Sequence, residues 1–144
     1  MRITMEKKDE VIDGQCLCGK VNFQVSFPAK WCVHCHCTRC RKSHGSGFVT
    51  WFGVKKHQFV LTGGEKYLKW YNSSKKSRYG FCSNCGSSML FRSSKWDDEI
   101  HITLSNVNQG IGINPQSHVY FDTHVDWLIF NDDLKRYDDP HKST

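Results

Sequence analysis

No stretch of this 144-residue chain is apolar for long enough to span a membrane. Its opening, MRITMEKKDEVIDG, carries too many charges for the apolar centre of a signal peptide. The expectation from both absences is a cytoplasmic protein whose thiols are kept reduced. Lysine and arginine never run longer than pairs such as Arg41–Lys42 and Lys75–Lys76, so the formal charge of +6 reads as a solvated surface and argues against nucleic acid as a partner. No long amphipathic helix, internal repeat or low-complexity segment is visible. Hydrophobic residues make up only 38% of the chain, so something besides core burial is expected to hold the fold.

What is present in quantity is cysteine, eight residues, together with nine Phe, five Trp and five Tyr. Eight cysteines in a reducing compartment point to metal. A disulfide framework would require an export signal that the opening does not provide. GKVNFQVSF (19–27) alternates, with Val21, Phe23, Val25 and Phe27 on one face, and Pro28 ends it. FVTWF (48–52), HQFVLT (57–62) and EKYLKWY (65–71) read as strands, and RYGFCSNCGSSMLFR as strand, tight turn, strand. EIHITLSNV (99–107) turns Ile100, Ile102 and Leu104 inward. HVYFDT and DWLIF read as short strands, and YDDPHKST as a frayed tail. CVHCHCTRC is too rich in Cys, His and Arg for a core strand, and TRCRKSH has room for a short helix before Gly45 and Gly47. Many short strands with Gly, Asn and Ser turns predict a mostly β domain of two antiparallel sheets.

The cysteines fall in three groups. FCSNCG, with Cys82 and Cys85, has the form of a zinc knuckle: two intervening residues let both sulfurs meet one metal at about 2.3 Å, and Gly86 permits the left-handed turn. It supplies two ligands and needs a partner pair. CLC, with Cys16 and Cys18, is the natural candidate. In a strand those side chains would point to opposite faces, so a chelating C-x-C must sit on a bend, and Gly14 and Gly19 flank it. A redox C-x-x-C would need a βαβ pattern, which is absent. In CVHCHCTRC the tightest set is Cys35, Cys37 and Cys40. Three thiolates leave a fourth position for water or a substrate sulfur. Spacing alone leaves open whether Cys32, His34 or His36 fills it instead, or whether a histidine serves as a hydrogen-bonding neighbour.

In that order, GQCLCGKVNFQV, CHCTRCRKSHGSGF, FVLTGGEKYLKWY and RYGFCSNCGSSML resemble the family of glutathione-dependent formaldehyde-activating enzymes and centromere protein V. The ending HVYFDTHVDW…DDLKRYDD resembles that family's as well. The likeness covers roughly residues 12–139, read as one domain with tails at 1–11 and 140–144. The resemblance implies a β-tent-like fold stapled by zinc, with two zinc ions per chain. One, structural, would be held by Cys16, Cys18, Cys82 and Cys85. The other, of catalytic type, would be held by Cys35, Cys37 and Cys40. Cys32 matches no ligand of the pattern. Two zinc ions on these thiolates would bring the formal charge to about +3.

The activity implied is that of a carbon–sulfur lyase: glutathione and formaldehyde combine to S-hydroxymethylglutathione. Arg41 and Ser46, with His34, His36 and His44, are the local candidates for stabilising a developing alkoxide. Arg41 and Lys42 could receive carboxylates. After the third cysteine of this set the formaldehyde-activating enzymes carry a tryptophan–lysine–proline stretch, where this chain has RKSHG and resembles the shorter, broader branch. The metal ligands carry over better than the glutathione and formaldehyde specificity. The alternatives are a non-catalytic zinc-stabilised binding module, as centromere protein V suggests, and a thiol or metal sensor.

Overall fold

Residues 10–140 are described by the structure, a computed structural model. The expected tails at 1–11 and 140–144 lie almost wholly outside these residues. The mostly β expectation holds, with one short α-helix among the described residues. In chain order the elements are β1 (Val11–Gln15), β2 (Asn22–Ser26), β3 (Trp31–Cys35), α1 (Thr38–His44), β4 (Val49–Lys55), β5 (Phe59–Gly63) and β6 (Leu68–Asn72). There follow β7 (Ser77–Cys82), β8 (Ser88–Ser93), β9 (Glu99–Thr103), β10 (Ser117–Val119) and β11 (Lys135–Arg136).

Two sheets form. The smaller runs β1-β2-β5 and is antiparallel throughout. The larger has eight strands in the order β11-β10-β3-β4-β9-β8-β7-β6. It is antiparallel except at one end, where β10 runs parallel to both β3 and β11. Side chains alternate across a strand, and that alternation divides the larger sheet into two environments. One face carries Cys32, Phe52, Val54, Leu90, Ile100 and Ile102, which pack with Ile12, Phe23 and Val25 of the smaller sheet into the main core. Each such large apolar side chain contributes about 1.5–3 kcal/mol by leaving water. The other face carries Cys35, Val49, Trp51 and Tyr79, packed with Cys40 of α1 and with Trp31 and Phe91.

Several sequence expectations change. CVHC is a strand after all, lying between β10 and β4 inside the larger sheet. Cysteine behaves there as a small hydrophobe, and Cys32 is fully buried in the main core. Strand β9 is buried on both faces, so Glu99, His101 and Thr103 are covered as well as the isoleucines. DWLIF is irregular and forms no strand. Nor does the ending fray through Pro140. Tyr137 N–H donates to the His118 carbonyl and Phe121 N–H to the Tyr137 carbonyl, both at 2.8 Å.

Candidate metal centres

Cys16 and Cys18 lie on the turn between β1 and β2; Cys82 ends β7, and Cys85 lies on the turn between β7 and β8. Their four sulfurs all lie within 4.8 Å of one another. The bend expected for C-x-C is present, closed by Gly19 at φ 78°. Gly86 at φ 83° does the same after Cys85. Both values lie in the left-handed region where a side chain is disfavoured. Tetrahedral thiolates at about 2.3 Å from a metal have sulfurs about 3.8 Å apart. Cys16 and Cys18 Sγ are 3.6 Å apart, Cys18 and Cys82 Sγ 3.8 Å. Donors face these sulfurs: Val21 N–H to Cys16 at 3.2 Å, Asn84 Nδ2 to Cys18 at 3.3 Å and Cys85 N–H to Cys82 at 3.5 Å. The Asn84 donor lowers the Cys18 thiol. Burial pushes Cys85 up, but the Ser87 hydroxyl and backbone N–H groups outweigh it and bring it down to about 5. Donors aimed at sulfur suit thiolates, so this set fits a metal ion held by four cysteines.

The second centre is built where β3 gives way to α1. Cys35 ends the strand, Cys37 caps the helix by accepting the Cys40 N–H at 3.3 Å, and Cys40 is the helix's buried residue. The three sulfurs lie within 4.8 Å of one another, with Cys35 and Cys40 at 3.7 Å. Hydrogen bonds from Cys35 and Cys40 bring Cys37 down to about 3. A hydrogen bond with Cys35 lowers Cys40, but its bond to Cys37 and burial prevail and push it up to about 12. Cys35 is raised well above its ordinary value by the same neighbours and by burial. A divalent cation held by these sulfurs would displace whatever protons they carry.

No fourth ligand joins this group among the described residues. Cys32 lies in the core, its thiol pushed up to about 11 by burial. His34 Nδ1 is 2.8 Å from the Thr50 hydroxyl, and His44 Nε2 is 3.2 Å from that of Ser88. His36 Nε2 is 2.8 Å from His118 Nδ1, and His118 Nε2 is 2.9 Å from Asp132. With the Asp132 carboxylate accepting from His118, the protons order as His36 to His118 to Asp132. Thr123 Oγ1 also donates to the His36 carbonyl, at 3.0 Å. The C-terminal segment thus holds the residue between Cys35 and Cys37 from two sides.

The group that does reach the second centre is Tyr79, whose hydroxyl is 3.3 Å from Cys40 Sγ. Burial, with the nearby sulfur charge, holds it well above the ordinary tyrosine range, so it stays a donor. Beyond it a cavity of about 910 Å³ opens over the sheet face opposite the main core, lined by Cys35, Cys37 and Cys40 at one side. A row of cross-strand partners, Tyr79, Phe91, His101, Gly53 and Trp31, crosses β7-β8-β9-β4-β3 beneath it. Gly53 has no side chain, and the Trp31 ring lies over it to meet His101 at 4.5 Å. His101 Nε2 is 2.9 Å from Glu99, which Lys30 Nζ holds at 2.6 Å. Neither Arg41 nor Ser46 lines this cavity; Arg39 is the cation that does. Ser46 Oγ donates to the Phe48 carbonyl at 2.7 Å. Tyr79 and His101 escaped the sequence reading. The signal available was the strand alternation itself, which puts both on the face opposite the aliphatic residues.

A family model described as glutathione-dependent formaldehyde-activating enzyme matches residues 11–123. A curated protein of Halomonas elongata, provisionally named a glutathione-dependent formaldehyde-activating enzyme, is 23% identical over 125 residues, covering 82% of this chain and 80% of that protein. A crystal structure of a Rhodobacter sphaeroides protein superposes with a TM-score of 0.59 at 20% identity, over 72% of this chain and 92% of the other. That likeness is one of fold.

Proposed function

Because the chain belongs to the glutathione-dependent formaldehyde-activating enzyme family, we propose that it is a zinc enzyme of carbon–sulfur lyase type, joining a thiol to an aldehyde. The observation that carries this reading is the three-cysteine centre, with no fourth ligand among the described residues, open to a cavity. Cys35, Cys37 and Cys40 would hold the catalytic zinc, and Cys16, Cys18, Cys82 and Cys85 a structural one. Zinc supplies one thing here, a lowered pKa for a thiol bound in the remaining position.

The chain's own groups provide the rest. In the forward direction a sulfur–carbon bond forms, the carbonyl π pair moves to oxygen, and that oxygen takes a proton. Tyr79, kept protonated beside Cys40, donates a hydrogen bond to the developing alkoxide, which takes up the proton that the thiol released. His101 gives its Nε2–H to the Glu99 carboxylate, which leaves Nδ1 as a base in the same cavity to take the thiol proton. Lys30 holds Glu99 in place.

Metal content and turnover test the reading together. Cys37→Ser is expected to hold one zinc in place of two, to stay folded by circular dichroism, and to lose thiol–aldehyde condensation. Unchanged turnover in that variant would sink the proposal. Tyr79→Phe is expected to keep both metals and to slow condensation by about 10²–10³-fold.

A further inference from the structure

The cavity beside the three-cysteine centre is built for a different molecule from the family's namesake thiol. Its walls are the rings of Trp31, Trp51, Tyr79, Phe91, Trp96 and Tyr120. They interlock: Trp51 lies 6.5 Å from Tyr79 and 6.1 Å from Phe91, and Trp96 5.4 Å from His101. The charged groups of the lining are Arg39 on one side of the ledger and Glu99, Asp138 and Asp139 on the other. Lys30 is bound to Glu99, which leaves Arg39 as the cation of the lining.

Glutathione carries two carboxylates and one ammonium group at neutral pH. Two carboxylates entering this cavity would meet one guanidinium, exposed at the rim, the carboxylates of Asp138 and Asp139, and a Glu99 already paired with Lys30. Taking an unpaired carboxylate out of water is costly. Formaldehyde, at the other extreme, is far too small to cover the rings. A volume of about 910 Å³ stands at the upper end for small-molecule sites, roughly 300–1,000 Å³.

We infer that the adduct made or cleaved here carries an aromatic or extended apolar body and at most one negative charge, its sulfur at the three-cysteine centre and its body against Trp31, Trp51 and Trp96. The inference rests on the reading of that centre as a thiol site and names the substrate class for it. Aromatic rings place such a body by offset or edge contacts. The thiol sulfur is the common element, and the body is what the cavity selects.

The test compares benzyl mercaptan with glutathione, two thiols of similar acidity, on the zinc-loaded protein. Affinity is read by calorimetry and by quenching of the cavity tryptophans. Benzyl mercaptan is expected to bind at least about tenfold more tightly. Trp96→Ala, which changes a partly exposed ring on a short turn, is expected to erase most of that preference. Glutathione binding as tightly as benzyl mercaptan, with no effect of Trp96→Ala, overturns the inference and leaves the thiol site standing. Benzyl mercaptan affinity that survives Cys37→Ser unchanged overturns the thiol site, and the inference with it.

Discussion

His101 shows how burial tunes a single residue. Burial lowers its pKa, Glu99 partly restores it and Lys30 opposes it. For Glu99 burial works the other way, but Lys30 and His101 prevail and hold the carboxyl below its ordinary value. A histidine kept neutral in the folded chain takes up a proton less readily than in the unfolded chain. As pH falls below about 6.5 the unfolded state binds the extra proton, so stability declines until the lowered folded pKa is reached. Glu99 acts in the same direction lower down, since its contribution is present above its unfolded pKa and disappears as pH falls through its folded one. His101→Asn is therefore expected to flatten the stability profile below about pH 6.5 by up to about 1.4 kcal/mol per unit. Urea melts of both proteins across that range check it, and parallel profiles would contradict it.

At the scale of the strand, period-two alternation decides which residues line the cavity. Ile100 and Ile102 of β9 point to the main core, and His101 between them points to the cavity. The aliphatic half of this pattern was legible in EIHITLSNV. The other half was not, because an amphipathic strand does not say whether its second face meets water or a further layer. The same ambiguity hid CVHC, which read as too rich in Cys and His for a core strand. Gly53 of β4 is the clearest case of an element-level device. A Cβ there would lie 2.4 Å from the Trp31 ring. Gly53→Ala is expected to push that ring off His101 and to cost about 1–3 kcal/mol, read as a lower Tm and a shifted tryptophan emission. A variant with wild-type emission and stability would show that the ring does not depend on the glycine.

Across the whole molecule, the four-cysteine group ties the turn of the smaller sheet to a turn of the larger one. Leu17 N–H adds a bond to the Ser87 hydroxyl at 2.9 Å between the same two turns. With so modest an apolar fraction, a metal at this junction would supply folding free energy directly. Cys82→Ser is expected to lower stability by several kcal/mol, a large share of the roughly 5–15 kcal/mol typical of a whole domain. Cys32→Ala, equally buried but outside both cysteine groups, is expected to cost about 1–2 kcal/mol and to keep both metals. Equal losses in the two variants, measured by denaturation and zinc content, would contradict a structural role for the first centre. The ending matters at this scale too. β11 extends the larger sheet beside β10, and Tyr137, Asp138 and Asp139 close one side of the cavity.

By itself the amino-acid sequence determined the mostly β class and the grouping of the cysteines, because strand alternation and the two-residue spacing of chelating thiols act over a few bonds. It also determined the bend at CLC and the short helix ended by Gly45. The sequence also offered CLC as the partner of CSNC, and the fold brings those four sulfurs together. The tertiary structure alone decided that Tyr79 reaches Cys40, and that Cys32, His34 and His36 turn away from the second centre. It alone built the aromatic cavity, since that row joins five strands separated along the chain. Pairing register, not spacing, sets those neighbours, and register follows from how two sheets bury their apolar faces against each other.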